Sequence, residues 1–149
     1  MSFNSEDLAI PLGSLVLVTG ANGFIASNVV DQLLTAGFRV RGCVRNIERT
    51  KWMQTLLDEK YGPGKFELYQ VPDMSVANAY DKAIIGASGL CHVATPVMQS
   101  FDPNEGVPVI VNGTLNALEA AAKEPSVSIP FARHQYGTTP SAKRDFGIK

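Results

Sequence analysis

The stretch that decides the fold of this chain is SLVLVTGANGFIA, residues Ser14–Ala26. Its first half is a run of apolar and β-branched residues that ends at a glycine, which predicts a buried β-strand. Apolar residues then recur at helical spacing, with Ile25, Val29 and Leu33 on one face, until Gly37 ends the predicted helix as a carboxyl-terminal cap. The stretch therefore predicts a strand, a glycine-containing turn and a helix in direct succession.

The alternation of strand and helix continues along the chain. Further strands are predicted at FRVRGCV, KFELYQV and GLCHVAT, and further helices over residues 46–61, over 75–87, and from Asn104 or Val107 to Lys123. In the first of these helices, Trp52, Leu56 and Leu57 are expected to form the apolar stripe. Alternating elements of this kind pair their strands in parallel, so we predict an α/β fold with a Rossmann-type doubly wound sheet of about four strands.

The composition is typical of a globular protein. The 149 residues carry a formal net charge of −1 and are 45% hydrophobic, and no apolar run approaches the roughly 18 residues that span a bilayer. The first residues lack the basic and apolar regions of a secretory signal. Cys43 and Cys91 lie far apart in apolar runs, as buried thiols of a reducing compartment do. We therefore expect a cytoplasmic protein without a metal site or a membrane partner.

The turn TGANGFIA, residues Thr19–Ala26, predicts a phosphate-binding loop because it follows a strand and opens a helix. Gly20 permits the tight turn, and Gly23 lets the backbone approach a pyrophosphate. The first N–H groups of the helix, at Phe24 and Ile25, would face the anion together with the helix dipole. We interpret the stretch as a dinucleotide-binding site.

The end of the second predicted strand indicates which dinucleotide is bound. An NAD site usually places an acidic residue there for the ribose 2′-hydroxyl group, but this chain has Arg45, with Arg49 and Lys51 close behind. A guanidinium group can donate two hydrogen bonds to one phosphate. We therefore expect NADP, as NADPH, with Arg45 and Lys51 at the 2′-phosphate.

Five motifs in order resemble the extended short-chain dehydrogenase/reductase family, also described as NAD-dependent epimerases/dehydratases. They are TGANGFIA, CVRN, VPDM, HVATP and VNGTLNALEAAAK. The chain is most similar to the dihydroflavonol reductase-like branch, in particular to fungal-type NADPH-dependent aldehyde (carbonyl) reductases. The resemblance implies that Asp73 and Met74 contact the adenine, and that Val93, Ala94 and Thr95 line the nicotinamide ribose and the pyrophosphate.

The resemblance covers roughly residues 8–127 and then stops. Residues 128–149 carry four Lys/Arg, one Asp/Glu and two prolines, without hydrophobic periodicity, which predicts an irregular or disordered tail. Four charges without interleaved aromatic residues do not predict nucleic-acid binding. We therefore divide the chain into the amino-terminal part of an NAD(P)-binding Rossmann domain, residues 1–127, and a divergent tail, and we interpret it as carboxyl-terminally truncated.

The sequence YGPGK, Tyr61–Lys65, has the Tyr-x-x-x-Lys spacing by which the family's catalytic pair is recognised. That pair needs one helix face, and Gly-Pro-Gly forbids a helix here. Tyr136 and Lys143 are separated by Pro140 and lie too far apart for direct coupling. Ser128 and Ser141 have no predicted strand to hold them. We therefore assign no catalytic residue.

Two functional hypotheses remain open at this point. The chain is either the NADPH-binding portion of an oxidoreductase that reduces aldehydes or ketones, inactive in this truncated form, or a non-catalytic nucleotide-binding or interaction module. A carbonyl substrate would be a partner only of a full-length relative. If a fifth strand is missing, GLCHVA becomes an apolar sheet edge, and self-association through that edge is expected.

Overall fold

The computed structural model describes residues 8–96, 102–134 and 137–140. Six strands are present in this part of the chain: β1 (Leu15–Thr19), β2 (Arg39–Val44), β3 (Phe66–Gln70), β4 (Gly89–His92), β5 (Ile129–His134) and β6 (Gly137–Pro140). The helices are α1 (Phe24–Thr35), α2 (Lys51–Tyr61) and α3 (Pro103–Lys123). Of the helices in these ranges, none is long and apolar enough to cross a membrane.

The strands form one sheet in the order β3-β2-β1-β4-β5-β6. All neighbouring strands are parallel except β5 and β6, which are antiparallel. The doubly wound parallel sheet predicted from the sequence is thus confirmed, and its order is that of a Rossmann fold.

The carboxyl-terminal part of the sheet departs from the prediction. We expected an irregular tail from residue 128 and an exposed edge at β4. Instead β5 pairs along the whole of β4, from Gly89 opposite Ile129 to His92 opposite Ala132. Short apolar segments interrupted by proline carry too weak a periodicity to predict a strand, and pairing with an existing sheet supplies what the local pattern lacks. Residues 135, 136 and 141–149 lie outside the described residues, and the domain boundary at residue 127 stays a prediction.

The side chains of β1 alternate between two apolar clusters, one on each face of the sheet. Val16 and Val18 point to the α1/α2 face, where the buried residues of the helices include Val30, Leu34, Met53 and Leu57. Leu15 and Leu17 point to the α3 face, where they join Tyr80, Ile84, Ala117, Ala120 and Ala121. Since both faces are covered, all five residues of β1 are buried.

Of the stripe predicted on helix α2, Leu57 is buried and the other two residues are not. Asn46, the predicted N-cap, is not at the N-cap position of α2, which is Thr50; its Oδ1 accepts a hydrogen bond from the Arg49 N–H at 3.0 Å, within the 3-10 turn Glu48–Thr50 that precedes α2. The buried residues, however, are Met53 and Leu57, whereas Trp52 and Leu56 are 57% and 54% exposed. Both pairs have helical spacing, so the sequence pattern does not distinguish the face that meets the sheet from the face beside it.

The predicted helix over residues 75–87 is wrong. The segment Val71–Ser88 is a succession of turns, with Asn78 in the left-handed region at φ 62°. Its carbonyl groups are bound by side chains from the framework: Asn116 donates to Met74 and Val76, and the Arg41 guanidinium donates to Ala83 and Ile85. The donors of these hydrogen bonds lie on other elements, and they bind carbonyl groups that a helix would satisfy internally.

Candidate cofactor-binding cleft

A cleft of about 610 Å³ lies at the carboxyl ends of β1, β2, β3 and β4. In open α/β sheets this edge holds the ligand, at the point where the strand order reverses, which here falls between β1 and β4. Seven of the predicted site residues line this cleft: Gly20, Gly23, Arg45, Asp73, Met74, Ala94 and Thr95.

The turn between β1 and α1 forms the floor of the cleft. Gly20 has φ 66°, and a Cβ atom there would lie 3.1 Å from the Cα of Ala94. Only glycine therefore allows the turn to approach the loop that follows β4 this closely. Gly23 closes the turn by donating its N–H to the Gly20 carbonyl at 2.8 Å.

Helix α1 begins directly beneath this turn. Its amino terminus has no side-chain cap within the described residues, and its first turn carries no acidic residue. Phe24 is 89% exposed, and within the described residues neither Phe24 nor Ile25 lines the cleft, so their predicted contact with a phosphate group would be through backbone N–H groups. Uncapped N–H groups and the positive end of the dipole suit a bound phosphate group. These features fit the pyrophosphate of a dinucleotide.

The two predicted basic residues lie in different surroundings. Arg45 follows β2 and lines the cleft. Lys51 begins α2, where its ammonium group forms an ion pair with Glu48 at 2.7 Å, and it is absent from the cleft lining within the described residues. The sequence did not predict that Glu48 would bind Lys51, and the guanidinium group of Arg45 is the stronger candidate for a phosphate contact.

The wall opposite the turn follows β3 and contains Asp73 and Met74. The Asp73 carboxylate accepts hydrogen bonds from the Ser75 hydroxyl at 2.7 Å and from the Ser75 N–H at 2.8 Å. These two bonds, the hydroxyl first, hold the pKa of Asp73 below its usual value, so the carboxylate is charged at neutral pH. A charged acceptor at this position suits an amino group on a ligand.

A buried polar cluster joins the floor to the loop after β4. Thr19 is fully buried, and its Oγ1 accepts hydrogen bonds from the N–H groups of Val93 and Ala94, both at 3.0 Å. The same Oγ1 atom lies 2.9 Å from His92 Nδ1 and shares a hydrogen bond with it. Nε2 of this imidazole is 3.4 Å from the Thr114 hydroxyl on α3.

Val93 donates its N–H to Thr19, and its side chain packs against the α1/α2 cluster. Ala94 and Thr95 line the cleft. The contacts of Val93, Ala94 and Thr95 with the nicotinamide ribose and the pyrophosphate stay predictions. Sequence reasoning left His92 without a motif partner because its partners, Thr19 and Thr114, are distant in sequence.

Residues that the sequence did not assign to the site complete the cleft. They are Asn22, Cys43, Val44, Val71, Pro72, Tyr80, Pro96 and Val109. Burial raises the pKa of the Cys43 thiol to about 12 and raises that of the Tyr80 hydroxyl well above its usual value. Both groups therefore stay protonated at neutral pH, and the thiol is a poor nucleophile. The position of Tyr80 depends on the irregular segment after β3, which local patterns do not predict.

The YGPGK sequence forms a turn, as predicted. Helix α2 ends at Tyr61, and Gly62 and Gly64 have φ of 90° and 79°. Because β3 begins at Phe66, this turn lies at the amino edge of the sheet, opposite the cleft. The Tyr61 hydroxyl is held by Asp31 Oδ1 at 2.6 Å and Thr35 Oγ1 at 2.9 Å.

Comparisons with known proteins agree with this architecture. Residues 17–129 match the model of the 3-beta hydroxysteroid dehydrogenase/isomerase family. Aldehyde reductase 2 of Sporidiobolus salmonicolor is 50% identical over 122 residues, which are 82% of this chain and 35% of that protein. The ketoreductase nvfG of Aspergillus novofumigatus is 39% identical over 131 residues, 88% of this chain and 38% of that protein.

A solved structure shows the same likeness. The crystal structure of yeast methylglyoxal/isovaleraldehyde reductase Gre2, complexed with NADPH, superposes with a TM-score of 0.67 at 31% identity, over 79% of this chain and 36% of that one. These matches confirm the resemblance drawn from the motifs. The chain spans little more than a third of the length of the relatives it matches.

Proposed function

Because the chain belongs to the 3-beta hydroxysteroid dehydrogenase/isomerase family, we propose that it binds NADPH and is the cofactor-binding portion of a reductase that converts aldehydes or ketones to alcohols. The observation that carries the proposal is the cleft at the switch between β1 and β4, with a glycine turn and an uncapped helix on one side and Arg45 on the other. Names of the relatives, an aldehyde reductase and a ketoreductase, support the class of substrate.

Each part of the cleft has a role in this proposal. The N–H groups at the start of α1 hold the pyrophosphate, and Arg45 binds the ribose 2′-phosphate. Asp73 and Met74 contact the base, and Ala94 and Thr95 line the path toward the nicotinamide. When bound, NADPH supplies the hydride for carbonyl reduction. The chain contributes binding and orientation.

Cofactor preference tests this proposal directly. NADPH should bind at least tenfold more tightly than NADH, because a charge-assisted hydrogen bond contributes about 1.5–3 kcal/mol. Arg45→Ala should remove most of that preference while leaving NADH affinity nearly unchanged. Arg39→Ala is the matched control, since Arg39 lies at the opposite end of the same strand and binds the Gly13 carbonyl. Equal affinity for both cofactors in the unmutated chain would contradict the proposal.

We further propose that the 149 residues do not catalyse turnover by themselves. The four tyrosines are Tyr61, Tyr69, Tyr80 and Tyr136, and only Tyr61 has a lysine four residues later. That tyrosine is bound to Asp31 at the edge opposite the cleft. Carbonyl-dependent oxidation of NADPH should therefore stay at background. Turnover that Tyr61→Phe or Tyr136→Phe abolished would show that a proton donor had been overlooked.

The same two measurements also bear on the alternative of a non-catalytic nucleotide-binding module. A chain that binds NADPH tightly without turnover acts as a nucleotide-binding module, whatever its origin. A chain that binds neither cofactor excludes both functions.

A further inference from the structure

Helix α3 holds one wall of the cleft through a side chain that is not among the cleft-lining residues in the described part of the chain. Asn116 is 8% exposed, and its Nδ2 donates hydrogen bonds to the carbonyl groups of Met74 at 2.9 Å and Val76 at 2.8 Å. Both protons of the amide group are thus used on the turn that contains Met74. The two hydrogen bonds therefore tie this turn to α3.

One helical turn earlier, Gly113 provides the space in which Met74 packs. A Cβ atom at Gly113 would overlap Cε of Met74 and would lie 3.0 Å from its Cγ. Ala117 and Ala120, further along α3, are fully buried in the apolar cluster of this face. Met74 itself lines the cleft. A side chain at position 113 would therefore force Met74, part of the cleft wall, to shift.

We propose that Gly113 and Asn116 are positioning residues that set cofactor affinity, by seating the Asp73–Val76 turn against α3. The inference rests on the proposed function. The ribose binds at the tip of β2, and the base attached to it extends toward the wall that follows β3. Displacement of this wall affects the adenosine moiety common to NADPH and NADH. The displacement should weaken the binding of both cofactors equally, whereas a change at Arg45 should weaken mainly the binding of NADPH.

Fluorescence titration of the purified chain with NADPH and with NADH tests the proposal. Gly113→Ala should lower the affinity for both cofactors roughly tenfold, because it overpacks a well-packed site. The ratio of the two affinities should stay unchanged. The double variant Gly113→Ala/Met74→Ala should regain most of the lost affinity, because the shortened side chain vacates the space that the new methyl group fills. Asn116→Leu keeps the side-chain volume and removes both N–H donors of the amide group. It should lower the affinity for both cofactors to a similar extent.

Asn112→Ala is the matched control, since it is the neighbouring, exposed position on α3, and it should bind both cofactors as the parent does. If Gly113→Ala fails to fold, the double variant and Asn116→Leu still carry the test. Unchanged affinity in Gly113→Ala, or a double variant no better than the single one, would overturn the inference. Failure of the unmutated chain to bind either cofactor would instead overturn the proposed function, and the inference with it.

Discussion

The two faces of the sheet are covered in different ways. The α1/α2 face is covered by two helices whose apolar side chains recur every three or four residues and enter one cluster. On the α3 face, half of the cover is α3, and the other half is the irregular segment Val71–Ser88. Apolar side chains from α3 and from the irregular segment both enter the second cluster. The two faces of the sheet are therefore both buried, although only one is covered entirely by helices.

The polar contacts account for the difference. Helices satisfy their own backbone groups, so the α1/α2 face needs apolar packing and little else. The irregular segment does so only in part. From β2 and α3, Arg41 and Asn116 donate to its carbonyl groups, and Lys123 donates to the side chains of Asn78 and Asp81. Irregular backbone can line a functional cleft when a rigid framework supplies its hydrogen bonds. Stability should therefore depend on apolar volume on one face and on specific donors on the other.

The largest effect is expected from apolar volume on the α1/α2 face. Leu57 is 6% exposed and its neighbour Leu56 is 54% exposed. Leu57→Ala should lower the free energy of unfolding by about 3 kcal/mol, because it removes buried methyl groups and leaves a cavity. Leu56→Ala should lower it by less than about 1 kcal/mol. Urea denaturation followed by circular dichroism measures both, and equal losses would mean that α2 is rotated from the position described.

An intermediate effect is expected from a single donor on the α3 face. Arg41 Nη1 donates to the carbonyl groups of Ala83 and Ile85 at 2.7 and 2.9 Å. Arg41→Met keeps the length of the side chain and leaves both carbonyl groups without this donor, so unfolding should require about 2 kcal/mol less. The exposed Arg39→Met should cost about 0.5 kcal/mol or less. If Arg41→Met and Arg39→Met lost the same free energy of unfolding in urea denaturation, the segment would not depend on the hydrogen bonds from Arg41.

The smallest effect is expected from the polar contact between α1 and α2. Hydrogen bonds from Lys60 and then Tyr61 lower the pKa of Asp31, so the carboxylate stabilises the folded chain above the unfolded pKa of about 4, and this contribution is lost as the pH falls through the folded pKa. Because the pair is exposed, Asp31→Asn should cost about 0.5 kcal/mol or less at pH 7 and progressively less below pH 4.

Melting curves across this pH range check the effect. Glu59→Gln, an exposed change on α2, should match the parent at every pH. If the stability lost in Asp31→Asn increased as the pH fell, the expected contribution of the charged carboxylate would be contradicted.

The part of the site closest to local sequence was predicted best. Gly20 and Gly23 are needed for the conformation of one short turn, so their spacing between a strand and a helix sufficed to place them. Arg45 was placed by its distance along the next strand. The phosphate contact of Lys51 stays a prediction, and residue spacing did not indicate the ion pair that Lys51 forms with Glu48.

What the sequence by itself determined is the order of the four strands β1 to β4 and the positions of α1, α2 and α3, since apolar periodicity and glycine act over a few residues; the helix expected over residues 75–87 is the exception. Tertiary structure alone decided the path of Val71–Ser88, the pairing of β5 with β4, and the link from Thr19 through His92 to Thr114. Each of these depends on partners at least 22 residues apart, and such contacts form only when the sheet brings distant segments together. Local sequence patterns therefore do not predict these contacts.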